Sequence, residues 1–209
     1  SASVVGEIEF WHQKWGVADF AFYDDALLVN SKKLIIPVLR EIIQKGFDIR
    51  FHTPNALHVR EINLEVAELM FQSGFKTIRL GLETAAFAHR GSLDSKVTAD
   101  EISKAVDNLK AAGFKIEQVG AYLLWGLPGQ AIEEVEESIR IVKNCAITPV
   151  IAHYTPIPHT DLWDMAVASS RYDLAADPAF TNNAVMPCQK VGFSWATLSR
   201  LKNQISGER

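Results

Sequence analysis

Five apolar stretches in this chain each end in residues that can do chemistry. Phe20-Ala21-Phe22-Tyr23 runs into Asp24 and Asp25. Arg50-Phe51 leads to His52 and, after a turn, Asn55. Arg79-Leu80-Gly81-Leu82 ends at Glu83, Ala121-Tyr122-Leu123-Leu124 at Trp125 and Gly126, and Val150-Ile151-Ala152 at His153 and Tyr154. Paired negative charge at the mouth of a buried strand needs a reason to be there. A glutamate at a buried strand end needs a partner or a ligand. Gly126-Leu127-Pro128-Gly129-Gln130 can admit a ligand close to the backbone, but it lacks the lysine and hydroxyl of a P-loop. Every member also has a plainer use. Asp24 or Asp25 could cap a turn, His52 could be a satisfied strand-end histidine, and Thr53-Pro54-Asn55 is ordinary turn chemistry. His153 alone fits a core or surface position as well as a ligand position. The common placement, five times at the end of an apolar stretch, is the informative feature.

The elements that must position these residues follow one repeated grammar. "REIIQKGFDIRFHT", "AELMFQSGFKTIRLGL" and "VDNLKAAGFKIEQVGAYLL" each read as an amphipathic helix, then Gly-Phe, then an apolar run. Gly46, Gly74 and Gly113 suit the left-handed backbone that follows a helix. Ile35, Val38, Leu39 and Ile42 recur at helical spacing. Thr98-x-x-Glu101 reads as a capping box ahead of Ile102, Ala105, Val106 and Leu109. A further helix carries Ile132, Val135, Ile139 and Val142, with glutamates first and Arg140 and Lys143 last, as its dipole favours.

The predicted order is helix 3–15, strand 18–23, helix 31–45, strand 48–53, helix 63–73, strand 76–82, helix 98–112, strand 115–125, helix 131–144, strand 148–154 and a mixed tail. Such alternation argues for an α/β fold of parallel βα units. The strands read as apolar on both faces. Five units are too few for a closed eight-stranded barrel. The leading expectation is a partial TIM-like barrel with strands 2 to 6 present and the first strand missing; an open doubly wound sheet is second. One domain is expected over 1–209, with the barrel in 1–169 and a loop-and-helix extension in 170–209, of which 170–193 reads as a long surface loop.

Composition narrows the classes. The 209 residues are 48% hydrophobic and 22% charged, ordinary for a globular domain. A net charge of −4 gives no reason to expect nucleic acid or an anionic membrane as partner. No apolar run approaches the roughly 18 residues of a spanning helix, and no signal peptide is visible. Two cysteines, Cys145 and Cys188, exclude a disulfide framework and fit a reducing, cytoplasmic compartment.

Taken together, "FAFYDDALLVN", "IRFHTPNALHVREI", "AELMFQSGFKTIRLGLET", "GAYLLWGLPGQ" and "IAHYTPIPHTDLWDMA" resemble, in order and spacing, the radical S-adenosylmethionine (radical SAM) enzymes. The resemblance covers roughly residues 3 to 205 and is nearest to the branch often fused to a cobalamin-binding domain. It implies a partial (βα)₆ barrel whose first loop bears Cys-x-x-x-Cys-x-x-Cys, holding a [4Fe–4S] cluster. The cluster binds S-adenosylmethionine and cleaves it to a 5′-deoxyadenosyl radical, which abstracts hydrogen from substrate. By the same resemblance Asp24 and Asp25 lie beside the methionyl ammonium of the cofactor and Glu83 near its ribose and methionyl groups, while Asn55 is counted among the cofactor-binding residues. Leu124 would pack on adenine, Gly126 would allow close approach, and the segment His153, Tyr154 to Pro156 would run beside the adenine. Of the opening pair, one carboxylate should face the cofactor and the other cap the turn into the helix at 31. Two departures stand out: Gln130 where relatives often carry an acid, and His159 where many carry glycine. A larger one is that no Cys-x-x-x-Cys-x-x-Cys occurs here. The chain therefore reads as the carboxyl-terminal part of such a core, with cobalamin as a further cofactor of the intact protein.

Two rival readings remain. One is a metal-dependent hydrolase-like barrel using Asp24, His52, Glu83 and His153; it lacks a tight pair such as His-x-His. The other is an inert scaffold for partner binding. The substrate, small or macromolecular, cannot be read. Without a first strand, the strand at 18–23 should expose an edge that invites self-association. Because two thiols 43 positions apart cannot supply a cluster's ligand set, this 209-residue chain should hold no metal or cluster of its own. Anaerobic reconstitution with iron and sulfide is expected to leave it without a stoichiometric iron–sulfur absorption band. One cluster per chain would overturn that expectation.

Overall fold

The computed structural model describes residues 2–83, 97–188 and 193–207, with Glu83 described through its backbone. Helices and strands alternate: α1 (Ala2–Trp15), β1 (Asp19–Ala21), α2 (Ile35–Lys45), β2 (Arg50–His52), α3 (Leu64–Gln72), β3 (Phe75–Glu83), α4 (Ala99–Ala111), β4 (Val119–Trp125), α5 (Ile132–Asn144) and β5 (Thr148–His153). Two further helices follow, α6 (Trp163–Ser169) and α7 (Trp195–Gly207). The strands form one sheet in the order β1-β2-β3-β4-β5. β1 pairs with β2 in parallel, Phe20 opposite Phe51, and β2 pairs with β3 in parallel, Phe51 opposite Phe75 and His52 opposite Thr77. The register slips by one residue between Phe51 and His52. Chain order equals strand order, which is the partial-barrel alternative rather than the doubly wound one.

The chain divides into two units, residues 1–81, 97–121 and 145–148, and residues 82–96, 122–144 and 149–209. In the first, Phe51 and Phe75 are fully buried and form an aromatic group with Phe22, whose ring stacks on Phe75 at 5.8 Å. Ile35, Val38, Leu39 and Ile42 of α2, Val66, Ala67 and Met70 of α3, and Ile102, Ala105, Val106 and Leu109 of α4 are buried at the expected spacing. Thr98 and Glu101 close the expected capping box, with Glu101 N donating to Thr98 Oγ1 at 3.2 Å and Thr98 N to Glu101 Oε2 at 2.7 Å. In the second unit, Val135, Ser138, Ile139 and Val142 of α5 are buried, and Trp125 packs against Phe193 at 4.5 Å.

Four expectations need correction. Helix α2 begins at Ile35 rather than 31. Residues 25–34 form successive turns, with Asn30 in a left-handed conformation at φ 54°. Residues 116–118 form a 3-10 turn, held by Lys115 N donating to Gln118 Oε1 at 2.9 Å, so β4 starts only at Val119. The stretch from 170 is not merely a surface loop. Leu174 and Cys188 are buried with Ala166 in a cluster that also packs Tyr154, Trp163, Tyr172 and Phe180. Its short turns are capped by Asp177 and Asn182, which accept from Ala179 N and Ala184 N, each at 2.8 Å. Finally, β1 and β2 are not apolar on both faces. Asp19, Ala21 and Arg50 are exposed, His52 is half-buried and Tyr23 beyond β1 is 72% exposed. β1 ends the strand order and has one strand neighbour, and alternation along both strands separates a buried aromatic face from an open polar one.

Gly46, Gly74 and Gly113 all have positive φ, as the repeat predicts. Their surroundings differ. A Cβ on Gly74, at φ +100°, would stand 2.5 Å from the Ile49 carbonyl oxygen, whereas one on Gly46, at φ +65°, would meet nothing within 4 Å. Gly46→Ala should therefore carry only the left-handed penalty of about 1 kcal/mol. Gly74→Ala adds a backbone clash and should lose about 3 kcal/mol. Urea unfolding of the two variants side by side checks the difference; equal losses would show that the close approach at Ile49 does not matter.

Candidate cofactor and substrate site

In the first unit the chain leaves β1 through Phe22, whose N donates to His52 O at 3.0 Å. It then reaches Tyr23, Asp24 and Asp25. The side chain of Asn55, in the turn after β2, reaches across to this loop. Its Nδ2 donates to Tyr23 O at 2.7 Å and to Asp25 Oδ1 at 2.8 Å. Both amide hydrogens are thereby used, and Asp25 is oriented by Asn55. Asp25 accepts no capping bond from the turn into α2 among the described residues; its partner is Asn55, so the expected cap is replaced by a loop-to-loop bond. Asp24 is exposed, and its carboxylate has no partner among the described residues.

His52 sits within a network on the open face. Its Nδ1 is 2.9 Å from Thr77 Oγ1 and its Nε2 is 3.2 Å from Asp19 Oδ1. Arg50 Nε donates to Asp19 Oδ1 at 2.6 Å, and Arg50 Nη2 donates to Asp19 Oδ2. The Arg50 guanidinium, with His52 second, holds the Asp19 carboxyl far below the usual carboxylate range. Nothing in the motif reading singled out Asp19, Arg50 or Thr77. The available signal was alternation: Arg50-Phe51-His52 and Thr77-Ile78-Arg79 each put polar residues around an apolar one, and Asp19 stands beside Phe20.

In the second unit the end of β4 is built around Gln130, which is 2% exposed. Its Oε1 accepts from Gly126 N at 2.8 Å and Leu127 N at 3.2 Å, while its Nε2 donates to Leu124 O at 2.9 Å. One amide thus satisfies three backbone groups and sets the path from Leu124 to Leu127. Gly126 has φ 88°, so glycine is required there for the turn itself. Leu124 is half-buried, while Trp125 is fully buried and its indole Nε1 has no hydrogen-bond partner among the described residues.

The remaining predicted residues are placed as follows. Tyr154 N donates to Trp125 O at 2.9 Å, yet the Tyr154 ring packs into the tail cluster. Burial pushes its phenol up to about 12. The His153 ring is 5.6 Å from that of Trp195; burial first, then the charge of Lys202, holds it below the ordinary histidine range. Pro156 is buried. The Glu83 backbone ends β3, and its side chain lies outside the described residues. His159 adopts a left-handed conformation at φ 66°, a backbone region that glycine enters without penalty.

The pattern of parallel βα units, with polar groups gathered at and between the strand ends, has a counterpart among known proteins. The family model described as the Radical SAM superfamily matches residues 2–142. The chain belongs to the radical SAM superfamily. It is 30% identical over 168 residues to an uncharacterized methyltransferase of Pyrococcus horikoshii, covering 80% of this chain and 35% of that protein. Its fold is similar to that of the radical S-adenosylmethionine methyltransferase TsrM from Kitasatospora setae, a structure with cobalamin and a [4Fe–4S] cluster bound, at a TM-score of 0.66 and 16% identity over 82% of this chain and 35% of that one. It is also similar to coproporphyrinogen III oxidase from Escherichia coli, a radical SAM enzyme, at a TM-score of 0.56 and 15% identity over 82% of this chain and 36% of that one. The chain thus spans about a third of the length of these relatives.

Radical SAM membership sets aside the hydrolase alternative. Among the described residues, moreover, no three His, Cys, Asp or Glu side chains gather as a metal group. The chain's thiols do not suit a [4Fe–4S] cluster either. Cys188 is buried, Cys145 is half-buried, and burial raises both thiols above their ordinary range, away from the thiolate that iron needs. Within the radical SAM pattern, Gln130 is where sequence reasoning saw only a departure. An acid there could accept from Gly126 N and Leu127 N, but only when protonated could it donate to Leu124 O. Gln130→Glu should therefore raise the folded-state pKa of the introduced carboxyl above its unfolded value of about 4.3. Its stability is fully present below that value and lost as pH rises through the folded pKa. Thermal melts from pH 4 to 8 are expected to show Gln130→Glu falling away from the parent as pH rises, and Gln130→Ala destabilised by about 2 kcal/mol with no such trend. A flat difference for Gln130→Glu would mean that the donor bond to Leu124 is unimportant.

Proposed function

We propose that this chain is the cofactor-handling portion of a radical SAM enzyme and that Asp24 receives the methionyl ammonium of S-adenosylmethionine. The observation that carries the proposal is the contrast within the pair. Asp25 is held by Asn55, while Asp24 is exposed and without a partner among the described residues. An ammonium brings three donors and needs acceptors, and a free carboxylate on an anchored loop supplies them. In the second unit, the Gln130 clamp keeps the backbone from Leu124 to Leu127 in one conformation. Once bound to its cluster, S-adenosylmethionine supplies a radical able to abstract hydrogen; the ligands of that cluster are assigned to residues outside this chain.

Methyl transfer is the favoured outcome, supported by the methyltransferase of Pyrococcus horikoshii and by TsrM. Cobalamin is proposed as an additional cofactor of the intact protein on the strength of the TsrM structure, with no residue of this chain assigned to it. The proposed setting is the cytoplasm. None of the described helices is long and apolar enough to cross a membrane.

Calorimetric titration of S-adenosylmethionine into the full-length protein tests the assignment. Asp24→Ala should weaken binding by about 1–3 kcal/mol, as expected for loss of a charge-assisted bond. Asp25→Ala should cost mainly stability, about 1 kcal/mol, through the freed Asn55. Loss of affinity in Asp25→Ala with none in Asp24→Ala would reverse the two roles and sink the proposal.

A further inference from the structure

The open face of β1, β2 and β3 carries a connected chain of four polar side chains from three neighbouring strands: Arg50, Asp19, His52 and Thr77. Their chemistry fixes who donates to whom. A guanidinium stays protonated and can only donate. Asp19 receives it through both carboxylate oxygens, so Asp19 is ionised and can only accept. The 3.2 Å contact between Asp19 Oδ1 and His52 Nε2 therefore needs a hydrogen on Nε2. In neutral His52 that leaves Nδ1 bare. Its partner at 2.9 Å, Thr77 Oγ1, must then donate to it. The result is a directed series in which an anchored carboxylate orients an imidazole, and the imidazole accepts from a hydroxyl. The lone pairs of Thr77 Oγ1 remain for something else, because no described side chain donates to them.

The network is reachable. The Asp19, Arg50 and His52 side chains are 53%, 49% and 34% exposed, and Thr77 beside them is half-buried. A purely structural stitch between strands would be served by the Asp19–Arg50 pair alone.

We propose that Thr77, His52 and Asp19 form a proton relay for the substrate, with Thr77 Oγ1 as the contact to a neutral N–H or O–H group. The inference rests on the radical SAM reading only in taking the substrate to lie over this face of the sheet. In the step, the substrate N–H or O–H bond breaks heterolytically and its electron pair stays on the substrate. The substrate proton passes to Thr77 Oγ1 as the Thr77 proton passes to His52 Nδ1. Two protons shift in concert for a net transfer of one from substrate to His52, Thr77 ends neutral, no electrons leave the substrate, and the new imidazolium charge faces Asp19. Thr77 is the residue in contact; His52 and Asp19 act through it as positioning and proton-holding residues. The substrate class is thus one whose reacting or neighbouring heteroatom carries an exchangeable hydrogen, such as an amide, a ring N–H or an alcohol.

Nitrogen-15 spectra of histidine-labelled full-length protein read the relay directly, without turnover. The His52 signals are expected to report the Nε2–H tautomer, and Asp19→Asn should convert them toward a tautomer mixture. An Nδ1–H tautomer in the parent protein, or a tautomer indifferent to Asp19→Asn, would overturn the proposal. Steady-state kinetics give the second readout. Thr77→Val should lower kcat about a hundredfold, in the range of lost general-base help, with KM nearly unchanged, and Thr77→Ser should restore most of it. Unchanged kcat in Thr77→Val overturns the relay. If S-adenosylmethionine fails to bind the parent protein, the cofactor reading falls, while the histidine spectra still decide the relay.

Discussion

The ring of Phe51 governs much of the first unit. It is fully buried, touching Phe20, Phe22 and Phe75 at centroid distances of 5.2 to 6.1 Å. A strand places successive side chains on opposite faces. Burying Phe51 therefore obliges Arg50 and His52 to point the other way, and pairing them with β1 and β3 brings Asp19 and Thr77 beside them. The polar network is a consequence of where an apolar ring had to go. The slip between Phe51 and His52 completes the arrangement. It lets Phe75 join the buried aromatics while Thr77, two residues later, joins the polar side.

Much of the fold could be read from spacing alone. The thrice-repeated Gly-Phe after a helix marked three helix ends correctly, because positive φ at Gly46, Gly74 and Gly113 is a local demand that residue type reports. The capping box at Thr98 was legible for the same reason. What spacing could not report was burial. Phe20 to Tyr23 reads as an interior strand, yet Ala21 and Tyr23 are exposed, since exposure depends on which strands stand beside β1 rather than on β1 itself. The start of α2 was misjudged because residues 25–34 satisfy their backbone by turns, with Ser31 N donating to Leu28 O at 3.1 Å. The tail escaped notice because Leu174, Met186 and Cys188 are buried without any regular period.

The candidate site was legible in outline and opaque in detail. Chain topology directs attention to strand ends, and that rule singled out Asp24, Asp25 and Asn55, which the structure brings to neighbouring loops. It could not tell that Asn55 holds one carboxylate and leaves the other alone, since that depends on the reach of one amide. Nor could it show where the side chains of His153 and Tyr154 go: they pack against the tail, which leaves only the backbone of that segment for the role expected of it. Gln130 shows the opposite case: a residue noticed only as a departure proves to be bonded to the backbone at Leu124, Gly126 and Leu127. Its amide carries a donor and an acceptor together, which a carboxylate at neutral pH does not.

The bonds from Asn55 have a mechanical meaning. A single nitrogen in the turn after β2 grips the loop after β1 at two points, the Tyr23 carbonyl and the Asp25 carboxylate. The two loops consequently share one hinge coordinate rather than owning one each. Lifting either loop alone requires both bonds to break together, so small fluctuations of one are transmitted to the other. A ligand settling against one loop is met by a rim of fixed shape, and the entropy of ordering that rim has already been spent in folding.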